Sequence, residues 1–191
     1  QHAMYSKIFF IYEVTNGIQS LDLTLRKCLM NKDQYNYKVF KKYINDTISK
    51  AKGVVEDKYI KVMEKAIVKA DEMVEYLKGQ AGAKNMAYVL GNAVPFAKAI
   101  EMLTYGWMQL WGLTLATKKM KELTGGKTGA DLEKLCEDNA EAAFYTGRVL
   151  SGQFYLGAKM QEYFGRADYV LAGEAAVQNA NKFIFSGAPE E

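Results

Sequence analysis

Between Tyr59 and Leu77 the apolar residues Tyr59, Met63, Ile67, Ala70, Met73 and Leu77 recur every three or four positions, with charged residues between them. That is the period of one face of an α-helix. A strand would alternate its apolar residues in steps of two, and no stretch of the chain does so for long enough to define one. Phe40, Ile44 and Ile48 repeat the helical spacing, as do Phe96, Ile100 and Leu103. Only 2 of the 191 residues are proline, and 49% are apolar. Few breakers and enough apolar surface for a substantial core imply an all-α protein. The expected architecture is an up-and-down helical bundle of five to six long helices joined by short links.

The punctuation of the sequence places those helices. A first helix should start at Gly17, after an Asx cap at Asn16 with Gln19 three residues on, and end near Met30 to Lys32. Its apolar face would be Ile18, Leu21, Leu25 and Cys28. A second should run from about Tyr35 to Lys52, with Gly53 as terminator. A third should run from about Glu56 to Lys78, stopping at Gly79-Gln80-Ala81-Gly82. The fourth, Ala83 to Leu123, should kink at Pro95 rather than end, because the apolar period resumes at once. Within it, Gly91, Gly106 and Gly112 suggest close helix approach, and Trp107 and Trp111 share a face suited to packing. A fifth is expected over Asp131 to about Phe164, with small residues Ala140, Ala143, Gly147 and Ser151 on one face and large ones, Phe144, Phe154 and Met160, on another. Gly165-Arg166-Ala167-Asp168 reads as a break with Asp168 as N-cap. A last helix would then span Tyr169 to about Asn181. The loose, charged segment around Lys50 to Glu56 marks a junction between an N-terminal hairpin and a C-terminal bundle.

Much chemistry is excluded by what the chain lacks. Its one histidine, His2, is terminal, so neither a Ser/His/Asp arrangement nor a His-rich metal site can form, and no metal site is expected. Cys28 and Cys136 fall in helix interiors without a paired spacing, which suits a reduced, cytoplasmic protein. Thr124-Gly125-Gly126-Lys127-Thr128-Gly129 fails as a phosphate loop, because Lys121 stands where the first glycine is required and no strand precedes it. The net charge of +3 is spread along the helices and offers no nucleic-acid footprint. The longest uncharged run, Met102 to Thr117, falls short of the roughly 18–20 residues of a transmembrane segment. Gln1-His2-Ala3-Met4 has neither the basic region nor the cleavage site of a signal peptide.

One carboxylate stands apart. Glu13 sits in an otherwise uncharged run from Ile8 to Ser20, just before the polar turn Thr15-Asn16-Gly17 and the first helix. Apolar neighbours would raise its pKa toward that of a usable base, while the helix terminus would lower it. By physics alone, such a residue does no more than interact with the helix end.

The order of the letters adds to this. Tyr12-Glu13-x-Thr15-Asn16-Gly17-Ile18-Gln19, followed by Leu21-Asp22-Leu23 and Arg26-Lys27, resembles the signature near the end of the catalytic core of acyl-CoA dehydrogenases. Ala99 through Ala116 with Gly106-Trp107 and Trp111, then Phe144-Tyr145-x-Gly147-Arg148, Phe154-Tyr155 and Leu171-Ala172-Gly173-Glu174, are similar to the extra C-terminal helical domain of a larger subgroup. That subgroup includes enzymes similar to 3-methylmercaptopropionyl-CoA dehydrogenase. The resemblance implies a C-terminal fragment of an FAD-dependent enzyme that dehydrogenates an acyl-CoA thioester, inactive as isolated. It also implies that residues 1–52 end the catalytic core and 53–191 form a C-terminal bundle. Glu13 matches the base, Val14 lies beside the substrate, and Thr15, Asn16 and Gly17 match positions that touch FAD. The family usually has Gly where this chain has Val14, whose branched side chain restricts φ and adds bulk. An electron-transfer partner and self-association belong to the same expectation. The competing expectation is a stand-alone helical interaction or oligomerisation module without catalysis.

Overall fold

The structure, a computed structural model, describes residues 16–173, and the described residues are all helix, turn and loop. The chain is an all-α bundle. Helix α1 (Asn16–Leu21) continues without a gap into a π-helical segment, Asp22–Leu29, and a short 3-10 turn at Lys32–Gln34 leads to α2 (Tyr35–Ala51). Then come α3 (Asp57–Gly82), a short α4 (Met86–Gly91) and the long α5 (Ala93–Thr124). Helix α6 (Gly129–Asp138) precedes α7 (Ala140–Phe154), which passes through a π-helical turn, Tyr155–Lys159, into α8 (Met160–Leu171).

Helix α5 is the axis of the bundle and packs against α1, α2, α3, α7 and α8. Cross-helix contacts fix the directions. Tyr37 of α2 reaches Asp71 of α3, and Lys52 just after α2 reaches Glu64, so these two helices are antiparallel. Helix α5 runs back against α7 and α8, with Gly112 beside Arg148 and Gly106 beside Met160. Tyr163 on α8 donates a 2.7 Å hydrogen bond to the carbonyl of Ala66 on α3, and Tyr88 on α4 donates to that of Val170. The stripe expected on the third helix is the core of the molecule: Tyr59, Met63, Ile67, Ala70, Met73 and Leu77 are all buried. They join Ile44, Phe96, Leu103, Leu110, Leu156, Met160 and Val170 in one continuous cluster.

Several boundaries differ from the sequence reading. The expected fourth helix is two: α4 stops at Gly91, and α5 begins at Ala93 after Asn92. Pro95 is the third residue of α5, so its missing N–H is one that a helix start leaves unpaired anyway, and it needs no kink. The expected fifth helix breaks instead at Asn139, whose extended backbone (φ −134°, ψ 100°) stops α6. Its side-chain oxygen accepts from the N–H groups of Glu141 and Ala142, both at 3.0 Å, and so caps α7.

There is no break at Gly165-Arg166-Ala167-Asp168, all of which lie inside α8. Ala167 and the flanking Phe164 and Val170 are buried, and this packing overrides the propensity cost of Gly165. Asp168 is no cap but an ion-pair partner of Lys69 on α3, at 3.2 Å. Tyr169 therefore lies near the end of a helix, which closes at Gly173 with φ +72°. The part of the expected last helix beyond Gly173 lies outside the described residues. Helix α3 runs through Gly79 to Gly82, and the reversal falls on Lys84 at φ +61°. The turn Thr124–Gly129 is an inter-helix link whose Gly125, Gly126 and Gly129 all have positive φ.

Candidate functional site

Glu13, Val14 and Thr15 lie outside the described residues. Asn16 and Gly17 are within them, at the start of α1. Asn16 is helical rather than a cap outside the helix, and its carbonyl accepts a 2.7 Å hydrogen bond from the Ser20 hydroxyl. Gly17 is exposed, and a Cβ added there would meet nothing within 4 Å.

The face that α1 and its π-helical continuation bury is the expected one only in part: Leu21 and Leu25 are half-buried and Cys28 is buried, but Ile18 is not. Ile18 is 62% exposed, whereas Ser20, Thr24 and Cys28 are buried. These three small residues stand four apart and let the helix lie close to the start of α5. Each hydroxyl is satisfied on its own helix: Ser20 donates to the Asn16 carbonyl, and Thr24 donates to that of Ser20 at 2.8 Å. The Thr24 oxygen also lies 3.5 Å from the Ala93 carbonyl across the interface. Burial therefore leaves no stranded polar group, and the seam fixes where Asn16 stands. Outside the seam, Arg26 forms a two-pronged pair with Asp22, which holds that carboxyl below its usual range.

Two depressions follow this seam. The outer one, about 240 Å³, is lined by Asn16, Gln19, Ser20, Leu23, Val94, Ala97, Lys98 and Glu101. The inner one, about 450 Å³, shares Leu23, Ala97 and Glu101 with it and continues to Lys27, Cys28, Asn36, Tyr37, Phe40, Ile100 and Thr104. Burial pushes the Cys28 thiol up to about 11, so it is no nucleophile at neutral pH. Tyr37 donates to Asp71 at 2.9 Å, and Lys41 holds the same carboxylate at 2.9 Å. Burial and that carboxylate push the Tyr37 phenol far above its ordinary range, which makes it a fixed donor.

No group of His, Cys, Asp and Glu that could hold a metal ion occurs among the described residues, and no helix among them is long and apolar enough to cross a membrane. Both cysteines are free. Of the two tryptophans, Trp107 packs edge-on to Phe40 and beside Tyr43. Trp111, expected to pack on the same face, is instead 53% exposed. The inner depression was not legible in the sequence. Its walls come from three distant helices, and the π-helical register that turns Leu23, Lys27 and Cys28 toward it leaves no mark in the apolar period.

The family described as acetyl-CoA dehydrogenase C-terminal like matches residues 40–180, most of the chain. The chain belongs to that family. It is also similar to a curated butyryl-CoA dehydrogenase of Syntrophomonas wolfei subsp. wolfei, 27% identical over 159 residues, which are 83% of this chain and 24% of that protein. The chain thus spans about a quarter of the length of the curated relative it matches. No solved structure gives a significant match. In this acyl-CoA dehydrogenase C-terminal-like domain, the matched region begins within α2, and α1 with the motif before it lies upstream of the match.

Proposed function

We propose that this chain is the C-terminal part of an FAD-dependent acyl-CoA dehydrogenase, with residues 1–52 completing the catalytic core and 53–191 forming the C-terminal bundle. The observation that carries the reading is the family match over residues 40–180, which begins within α2, downstream of a Tyr12-Glu13-x-Thr15-Asn16-Gly17 motif. Gly53, at φ +76° between α2 and α3, is the turn at which this reading divides the two parts.

In this reading the Glu13 carboxylate takes the α-proton of the acyl thioester, and the electrons of that C–H bond become the new double bond as hydride leaves the β-carbon. FAD, when bound, supplies the acceptor for that hydride. In the same reading Val14 would neighbour the thioester, and Thr15, Asn16 and Gly17 would help to hold the flavin. Gly17 suits that role: its bare backbone faces open space, so packing within the described residues does not require a glycine there. The fragment alone does not turn over, because most of the acyl-CoA and flavin site belongs to preceding domains. The full protein passes electrons to a separate acceptor, and it works in a reducing cytoplasm, where two free cysteines are at home. Self-association is supported by the apolar side chains left open on α5 and α7, with Trp111, Leu115, Phe144 and Phe154 each more than half exposed.

The test uses the full-length protein. It should carry flavin absorbance and reduce a dye in an acyl-CoA-dependent manner, and Glu13→Gln should abolish the reduction while leaving the flavin bound. Retained turnover in Glu13→Gln removes Glu13 from the mechanism, and a flavin-free full-length protein removes the enzyme reading.

A further inference from the structure

The inner depression has three properties that together name a ligand class. Its lining surface is mostly apolar, with Leu23, Cys28, Phe40, Ala97 and Ile100 among its walls and Lys27, Asn36, Glu101 and Thr104 as the polar exceptions. At about 450 Å³ it falls in the size range of small-molecule sites. It is also elongated, because it runs on through Leu23, Ala97 and Glu101 into the outer depression.

The rim is charged unevenly. Lys27 makes no ion pair with another described residue, and the Asp22 carboxylate on which its charge acts is paired with Arg26. On the opposite side Glu101 is already held by Lys98 at 2.8 Å. The rim thus presents one available cation and one amide, Asn36, above an apolar trough. One wall is the π-helical segment Asp22–Leu29, and π-helical turns are rare and concentrate at functional sites.

We propose that this trough binds a linear aliphatic carboxylate, its alkyl chain along Leu23, Phe40, Ala97 and Ile100 and its carboxylate at Lys27 and Asn36. A peptide is a poor occupant, because the apolar walls would leave its backbone N–H and C=O groups without partners. An alkyl chain carries no such groups, and its single charged end meets the single available cation. The site is independent of the flavin chemistry proposed above and concerns the described residues alone.

Calorimetric titration of the intact chain with decanoate, below its micellar range, tests this. Decanoate should bind one to one, decanol more weakly, and decyltrimethylammonium not at all. Lys27→Gln should weaken decanoate by about tenfold and leave decanol unchanged, the size expected for one charge-assisted contact. Ala97→Phe, which fills the trough, should abolish binding of both; circular dichroism reports whether that variant is folded. No decanoate binding overturns the site. Equal affinity for decanol, or a Lys27→Gln variant that binds decanoate normally, overturns the assignment of an anionic head. Undiminished binding by folded Ala97→Phe places the ligand elsewhere and overturns the proposal as well.

Discussion

Gly152 on α7 and Leu113 on α5 meet so closely that a Cβ added to the glycine would stand 3.0 Å from the leucine Cβ and 3.5 Å from the carbonyl oxygen of Gln109. Both obstacles are anchored to the α5 backbone and cannot swing aside. Gly152→Ala should therefore push the two helices apart and cost about 1–2 kcal/mol, as overpacking outweighs the gain in helix propensity. Gly147, one and a half turns earlier on the same helix, is its control. A Cβ there meets nothing within 4 Å, so Gly147→Ala should stabilise by up to about 1 kcal/mol. Thermal or urea unfolding of the two variants should move in opposite directions.

That pair shows what the sequence made legible and what it did not. The helical class, the buried stripe of α3 and the turn at Thr124–Gly129 follow from period and composition, because packing and propensity agree there. The breaks at Asn92 and Asn139 were missed: each depends on one backbone conformation, which the apolar period cannot report. The face of α1 was misread in part, for a different reason. Ser20 and Thr24 look polar and hence exposed, yet each bonds back to its own helix and so can be buried. As for the site, Gly17 is helical as expected, Asn16 is helical where a cap was expected, and Glu13, Val14 and Thr15 rest on the motif alone. Lys27 and Asn36 were invisible as site residues, since only the assembly of α2, α5 and the π-helical segment brings them to one trough.

The two thiols should differ sharply in reactivity. Cys28 is buried and its thiol is pushed up to about 11, while Cys136 is half-buried, 3.7 Å from the Thr146 hydroxyl. A thiol reagent at pH 8 should label Cys136 first and reach Cys28 only with unfolding, because the thiolate is the reactive form. Mass spectrometry of a time course reads this directly. Simultaneous labelling would show that the seam between α1 and α5 opens readily.

The same burial makes stability depend on pH. The folded protein holds the Cys28 proton up to about 11, whereas the unfolded chain releases it near the ordinary thiol value of about 8.5. Over that interval the folded state binds more protons, so stability is full below about pH 8.5 and declines as pH rises toward 11. Burial also raises the phenols of Tyr37 and Tyr163, which adds a further decline above about pH 10, where unfolded tyrosines ionise. Chemical denaturation at pH 7 and pH 10 should show the loss, and Cys28→Ala should make it smaller.

Tyr163 also ties α8 to α3. Its hydroxyl is wholly buried and donates at 2.7 Å to the carbonyl of Ala66. Tyr163→Phe keeps the ring and its edge-on contact with Phe164 but removes the donor. The expected cost is about 1–1.5 kcal/mol, the ordinary value of one buried hydrogen bond. Amide exchange in α8 should quicken in this variant, because the bond fixes that helix on α3.

Trp107 and Trp111 should give separable fluorescence signals. The indole N–H of Trp107 donates at 2.7 Å to the Thr47 hydroxyl, and that hydroxyl donates in turn to the Tyr43 carbonyl at 3.0 Å. This chain of bonds, with Phe40 edge-on to the indole, holds α2 against α5. Trp111, one turn further along α5, has no comparable cover and is 53% exposed. Acrylamide should therefore quench Trp111 readily in the chain as a monomer, and Trp111→Phe should leave a weakly quenched, Trp107-only emission. Thr47→Val removes the acceptor while keeping the volume, so it should cost about 1 kcal/mol and shift only the Trp107 emission. If self-association covers the open face of α5, raising the protein concentration should shield Trp111 from acrylamide while Trp107 stays as it was. Concentration-independent quenching of Trp111 would place any interface between copies on another face.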